Sequence, residues 1–475
     1  MKKAPSPLVS LIPIIVLVLL LFATIRTFGS DALSGGSQVS LLTTTAICIL
    51  IGMVFYKIPW KDYELAITNN IAGVATAIII LLIIGALSGI WMISGVVPTL
   101  IYYGMQIIHP SFFLASTCII CALISVMTGS SWTTIATIGI ALMGIGKAQG
   151  FEDGWIAGAI ISGAYFGDKI SPLSETTILA SSITDTPLFR HIRYMMITTV
   201  PSLVITLIIF TVAGFSHDAN NTQHIAEVAT ALNEKFHITP WLLIVPVATG
   251  ILIAKKVPSI VTLFLSTLLA AVFALIFQPD LLEEISGIAA SGFDSLFKGL
   301  MMTIYGETNL HTDNAVLTDL IATRGMSGMM NTIWLILCAM CFGGAMTASG
   351  MVGSITSIFV RFMKKTVSVV SATVCSGLFL NLTTADQYIS IILTGNMFRD
   401  IYAKKGYESC LLSRTTEDAV TVTSVLIPWN SCGMTKATIL SVPTLVYLPY
   451  CFFNIISPLM SITVAAIGYK IARRS

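Results

Sequence analysis

Four stretches of this chain place oxygen-bearing side chains among neighbours that are almost wholly apolar. They are Thr128-Gly-Ser-Ser131-Trp-Thr-Thr134, Gly167-Asp168-Lys169-Ile-Ser171-Pro172-Leu-Ser174-Glu175-Thr176-Thr177, Asn381-Leu-Thr383-Thr384-Ala-Asp386-Gln387, and a longer one from Arg414, Glu417 and Asp418 through Ser424 to Pro428-Trp-Asn430-Ser431-Cys432-Gly433. Hydroxyls, a carboxamide and carboxylates are the hard oxygen ligands an alkali cation needs. Pro172 and Pro428 belong to the same pattern. A proline lacks the N–H and clashes with the preceding turn, so a helix carrying it should break and free carbonyls and helix ends. Desolvation penalises the charged form of a carboxyl, which lets protons and cations compete for one group. Asp168 and Asp386 are the candidate exchangeable carboxylates, with Ser171, Ser174, Glu175, Thr176, Thr384, Asn430 and Ser431 as candidate ligands or lining groups. Lys169, Arg414, Glu417, Asp418 and Lys436 are candidates for coupling or for structural ion pairs, Lys169 with Asp168 and Arg414 with Glu417 or Asp418.

The surroundings of these groups decide how much they mean. The chain has 475 residues, 55% apolar and 10% charged, with a mean hydropathy of +0.89, whereas soluble domains carry roughly 25% charged residues. Runs such as Leu8–Phe28, Val39–Tyr56, Ile71–Ser94, Tyr194–Phe215, Pro258–Phe277 and Thr332–Met351 are each long enough to cross about 30 Å of hydrocarbon as a helix. The reading is an all-α polytopic membrane protein with about 11–14 transmembrane helices. Disorder, a disulfide scaffold, a nucleic-acid partner and an outer-membrane barrel are excluded, since none yields repeated apolar stretches of that length. At a helix centre each ionised group costs about 2.5–3.5 kcal/mol, so Asp168, Glu175, Asp386, Glu417 and Asp418 must face protein, water or a cation. The two Cys-x-x-Cys spacings, Cys118/Cys121 and Cys338/Cys341, have no polar company and read as packing thiols. No cofactor and no metal beyond a transported ion is expected. The start, Met1-Lys2-Lys3 before an apolar run without a cleavage site, reads as an uncleaved first span.

Compared with itself at a shift of about 255 residues, the chain repeats. Gly89…Ser94-Gly95 matches Gly344…Ser349-Gly350, Gly150-Phe151-Glu152 matches Gly406-Tyr407-Glu408, and Pro172 matches Pro428. The expected organisation is an N-terminal helix pair (1–66), a first repeat (67–214), a connecting pair at about 240–277 with an extramembrane linker (215–321), and a second repeat (322–475). Lys2, Lys3, Lys57, Lys61, Arg190, Arg193, Lys255 and Lys256 mark inside loops under the positive-inside rule. The second copy then starts outside and ends inside at Lys470, Arg473 and Arg474, upside down relative to the first; Arg361, Lys364 and Lys365 disagree unless Val97–Ile108 and its mate are interfacial. Inverted repeats around a midplane site are the architecture of secondary transporters. Within the linker, Gly287–Tyr305 reads as an amphipathic surface helix, followed by a polar loop with His311 and Asp313.

Gly167-Asp168-Lys169-Ile170-Ser171-Pro172-Leu173-Ser174, Ala385-Asp386-Gln387-Tyr388, Leu412-Ser413-Arg414-Thr415-Thr416-Glu417-Asp418 and Ile427-Pro428-Trp429-Asn430-Ser431-Cys432-Gly433 together resemble the NhaC family of sodium/proton antiporters, over nearly the whole chain. The resemblance implies Na⁺/H⁺ antiport in a bacterial cytoplasmic membrane. It also implies a re-entrant hairpin and a broken helix in each repeat, which would make Ser130–Lys147 and Asp386–Ala403 the hairpins. Glu175 and Lys436 depart from the family pattern, where Asp and an uncharged residue are usual. Some members resemble exchangers of malate and lactate coupled to sodium and protons, an alternative in which Lys436 and Arg414 would meet carboxylates. The expected partners are the lipid bilayer, Na⁺, H⁺ and, in that alternative, small carboxylates; a homodimer is compatible with all of this.

Overall fold

The computed structural model describes residues 5–28, 35–216, 222–308, 310, 318, 321–361 and 365–473. Lys2, Lys3, Asp218, His311, Asp313, Lys364 and Arg474 lie outside the described residues, as does the side chain of Arg361. Backbone polar groups have no water partner in hydrocarbon, so apolar runs of this length form helices. Among the described residues there is no strand, only two isolated bridges, Thr308–Thr323 and Tyr407–Arg473.

The N-terminal pair is α1 (Pro7–Phe28) and α2 (Gly36–Tyr56), followed by α3 (Trp60–Gly73). Next come α4 (Ala75–Ile93), α5 (Val96–Ile107) and α6 (Phe113–Thr128); then α7 (Ser131–Thr134), which continues through a π turn (Ile135–Gly139) into α8 (Ile140–Ala148). The first set closes with α9 (Asp153–Ile170), α10 (Glu175–Ile183) and α11 (Leu188–Ser216). The connecting region holds α12 (Thr222–Lys235), α13 (Ile244–Ala254), α14 (Ser259–Phe277), α15 (Pro279–Ser286) and α16 (Phe293–Tyr305), so the amphipathic stretch expected from Gly287 becomes helical only at Phe293. The second set is α17 (Met330–Ala348), α18 (Met351–Arg361), α19 (Thr366–Thr384), α20 (Gln387–Lys404), α21 (Ser409–Thr416) with a π turn (Glu417–Thr421), α22 (Ser431–Leu440), α23 (Thr444–Tyr447) and α24 (Phe452–Ile467). The sets agree element by element: α4 and α17 are both 19 residues long, and α10 and α22 both begin just after a break that contains a proline.

Among the described residues, eight helices are long and apolar enough to span, or ten if each bent pair is one span. The difference from eleven to fourteen lies in the runs at 131–148, 153–170, 387–404 and 409–421, whose charges and breaks lower their apolarity. Helices α5 and α18, at 12 and 11 residues, rise only about 1.5 Å per residue and are too short to cross. Ser130–Lys147 and Asp386–Ala403 are each one helical run rather than a hairpin in themselves. The bend comes where each run meets the preceding helix, at Gly129 and Ala385, both in the left-handed region (φ 68° and 56°).

The flanking pairs pack crosswise. Helices α1 and α2 lie against α17 and α18 of the second set, while α14 and α16 lie against α4 of the first, where the Trp91 indole N–H donates to Ser266 Oγ at 3.1 Å. Between the sets, α10 packs on α20, and α22 packs on the π turn between α7 and α8. These are the same contact with the two sets exchanged, and α11 meets its own counterpart, α24. The most extensive contact inside the first set, α6 on α9, depends on small residues. A Cβ on Gly163 would stand 2.1 Å from the Cys118 carbonyl oxygen, and one on Gly167 would stand 2.4 Å from that of Ala122. That glycine spacing lets the two backbones touch and so fixes the depth of Asp168. Gly163→Val should therefore destabilise the protein by about 1–3 kcal/mol or more through overpacking. Gly353→Ala, at a helical position with nothing within 4 Å, should change the melting temperature in detergent little; equal melting temperatures for the two variants would refute the close-packing account.

Candidate functional site

Helix α9 ends at Ile170, the chain runs irregularly through Pro172, and α10 begins at Glu175. Ser174 caps α10 by accepting from the Thr177 N–H. Its hydroxyl also donates to Asp168 Oδ1 at 2.6 Å. From the opposite side Ser131, the first residue of α7, donates to Asp168 Oδ2 from its hydroxyl at 2.7 Å and from its N–H at 3.2 Å. The carboxylate is thus held between two helix starts, with three donors in reach. Thr176 shares a hydrogen bond with Ser174 at 2.9 Å. Ser171 turns away, donating to the Val126 carbonyl at 2.8 Å and so tying the break to α6. Glu175 is exposed and accepts from the Tyr388 hydroxyl of α20 at 2.9 Å; Pro172 is exposed beside it.

The second break repeats the plan with the groups redistributed. Asp386 caps α20, accepting from the Ile389 N–H at 3.0 Å, the position Ser130 holds for α7, where it accepts from Thr133 N–H at 3.2 Å. Its other oxygen accepts from Ser431, the first residue of α22, at 3.0 Å. Thr384 donates to the Asp386 carbonyl at 3.1 Å and shares a bond with Ser390 at 2.8 Å. Asn430 caps α22 through the Cys432 N–H at 3.1 Å and donates to the Asn381 carbonyl at 3.1 Å. Pro428, half-buried, lies in the break between Leu426 and Ser431.

Residues outside the candidate set complete this correspondence. Ser424 donates to Gln387 Oε1 at 3.0 Å, joining the positions that correspond to Asp168 and Ser131. Ser131, Gln387 and Ser424 were not among the expected site residues. The repeat offset itself was the available signal, since it maps the Ser131–Asp168 contact onto Gln387–Ser424 and the Asp386–Ser431 contact onto Ser130 and Glu175.

The remaining charges form a separate, deeper cluster. Lys169 does not pair with Asp168. Consecutive helical residues point about 100° apart, and while Asp168 faces α7 and α10, Lys169 crosses to the second set and bonds Asp418 on its π turn, with Ser457 at 3.0 Å. Thr198 donates to the same Asp418 oxygen at 3.2 Å. Arg414 Nε lies 3.9 Å from Asp418 Oδ2, and its guanidinium stacks over the Tyr194 ring, 4.8 Å from the centroid. Glu417 is fully buried with no basic group within ion-pair distance among the described residues. Lys436, also fully buried, has no hydrogen-bond partner among the described residues and sits 3.9 Å from the centroid of Trp132.

The model of a family described as the Na⁺/H⁺ antiporter family matches residues 5–181 and 163–469. The chain is 36% identical over 425 residues to the Na⁺/H⁺ antiporter NhaC of Bacillus subtilis, covering 89% of this chain and 91% of that one. It is 36% identical over 430 residues to the Na⁺/H⁺ antiporter NhaC of Alkalihalophilus pseudofirmus, covering 90% of each. At the same 36% over 422 residues it matches the malate-2H⁺/Na⁺-lactate antiporter of Bacillus subtilis, covering 88% of this chain and 87% of that one. Independently of these likenesses, the Lys169–Asp418 pair can be tested by its energetics. Lys169→Met leaves Asp418 buried without its main partner and should cost about 3–5 kcal/mol, whereas the double variant Lys169→Met/Asp418→Leu should recover most of that. Thermal melts of the purified protein read both, and a double variant no more stable than the single one would argue against the pair.

Proposed function

The chain belongs to the Na⁺/H⁺ antiporter family, and on that footing we propose that it exchanges Na⁺ for H⁺ across a bacterial cytoplasmic membrane. The observation that carries the reading is the Asp168 carboxylate, desolvated at the junction of α7, α9 and α10 and held by the hydroxyls of Ser131 and Ser174. A cation and a proton compete for such a group, and Asp386 with Ser431 offers the related half-site. The two sets of helices act as inverted repeats that present this region to each side in turn, which the polar breaks at matching positions favour. The protein works as a carrier, not an enzyme, with no cofactor beyond the ions it moves.

A second reading, exchange of small organic acids coupled to Na⁺ and H⁺, is favoured by the similarity to the malate-2H⁺/Na⁺-lactate antiporter and by the unpaired Lys436. Everted vesicles separate the two. Under the first, Na⁺ alone collapses an imposed pH gradient; collapse only when malate or lactate is added selects the second. Asp168→Asn should reduce exchange to background while the protein still inserts, and normal transport by that variant would remove Asp168 from the site. Ser131→Ala and Ser174→Ala each take away a hydrogen bond to a charged group, about 1.5 kcal/mol. Each should therefore change the half-saturating Na⁺ concentration by about tenfold.

A further inference from the structure

The buried ionisable groups can be counted. Among the described residues, the buried charged side chains are the carboxyls Asp168, Asp386, Glu417 and Asp418 and the cations Lys169, Arg414 and Lys436, each at most 5% exposed. His191 shares a hydrogen bond with Ser413 at 2.7 Å. Glu175 is exposed and solvated. Lys169 and Arg414 both converge on Asp418, and Arg414 lies one helical turn from Glu417, so these four groups form a cluster of their own. What remains is Asp168 and Asp386 against Lys436.

The neighbours of Lys436 contact both of these carboxylates. It is on α22, whose first residue, Ser431, donates to Asp386. The ring it covers, Trp132, is next to Ser131, which donates to Asp168. Among the described residues its ammonium has no hydrogen-bond acceptor and no carboxylate within ion-pair distance. A structural lysine at that depth would be expected to have its donors satisfied, as Lys169 does; one held only by a ring face keeps its charge unpaired.

We propose that Lys436 is a built-in counter-cation of the transport site, standing in for one of the two cations that Asp168 and Asp386 together require, so that the site takes up one exchangeable cation. The proposal rests on the antiport reading above. The positive charge of Lys436 also weakens Na⁺ binding at Asp168 by repulsion, so neutralising Lys436 should tighten binding, an effect that loss of a purely structural residue would not produce.

Equilibrium binding of radioactive Na⁺ to the purified full chain near neutral pH tests this. The expected results are one Na⁺ per chain in the unaltered protein, half-saturation at least about tenfold lower in Lys436→Gln, and unchanged half-saturation in Lys436→Arg, which keeps the charge. Lys436→Met is the parallel variant should the glutamine protein not fold. One Na⁺ per chain with no tightening on neutralisation overturns the proposal and leaves the antiport reading standing, as does tightening in Lys436→Arg. No Na⁺ binding by the unaltered protein overturns both. If malate or lactate alters Na⁺ binding in the unaltered protein but not in Lys436→Gln, Lys436 is a ligand for an organic anion and the counter-cation role is lost.

Discussion

An ion can reside in the middle of this protein only if something replaces its hydration, and that constraint shapes the fold around Asp168. Each ionised group at a helix centre costs about 2.5–3.5 kcal/mol, and the carboxylate meets that cost with donors that continuous helices cannot supply. Ser131 offers its hydroxyl and its N–H because α7 begins there. Ser174 offers its hydroxyl because α10 begins one residue later. Both starts require a preceding break, which Gly129 supplies with its positive φ and Pro172 with its missing N–H. The close approach of Gly163 and Gly167 to α6 then sets where along the membrane normal these elements meet.

The same frame occurs twice, but the chemistry is divided between the copies. In the first, the carboxylate is on the long helix before the break, Asp168, and the cap of the neighbouring run is Ser130. In the second, the cap itself is the carboxylate, Asp386, while the position matching Asp168 is Ser424. A symmetric arrangement with four carboxylates at these places would concentrate like charges that hydrocarbon cannot screen. Exchanging carboxylate for hydroxyl at alternate positions keeps the oxygen ligands and halves the charge. The fold repeats because packing requires it; the ionisable groups differ because electrostatics forbids repeating them.

Much of this was legible in the chain. The apolar runs give the helices, the shift of about 255 residues gives the repeated order, and the two prolines locate both breaks. Asp168, Ser174, Asp386 and Ser431 could be picked out because polar side chains at membrane depth are few. The partner of Lys169 could not, since adjacency to Asp168 in sequence says nothing about which face of α9 each occupies, and Asp418 is 249 residues away. The crosswise docking of α14 on α4 and of α2 on α17 was likewise hidden, because any apolar face satisfies any other and only shape selects between them. Ser171 looked like a ligand by type and proximity; its hydroxyl is engaged with the Val126 carbonyl instead, a local competition that residue type does not reveal.

The two fully buried lysines show how the structure separates scaffold from site. Lys169 has a carboxylate and a hydroxyl as acceptors, and Thr198 donates to the same carboxylate, so moving that ammonium would strand a desolvated anion. Its pairing joins α9 of the first set to the π turn of the second, and π turns are places where a helix departs from its regular ladder. Lys436 differs: among the described residues its ammonium has no hydrogen-bond acceptor and lies over the ring of Trp132. A group with incomplete partners is one whose energy changes when a cation arrives or leaves nearby, whereas a group with complete partners barely responds.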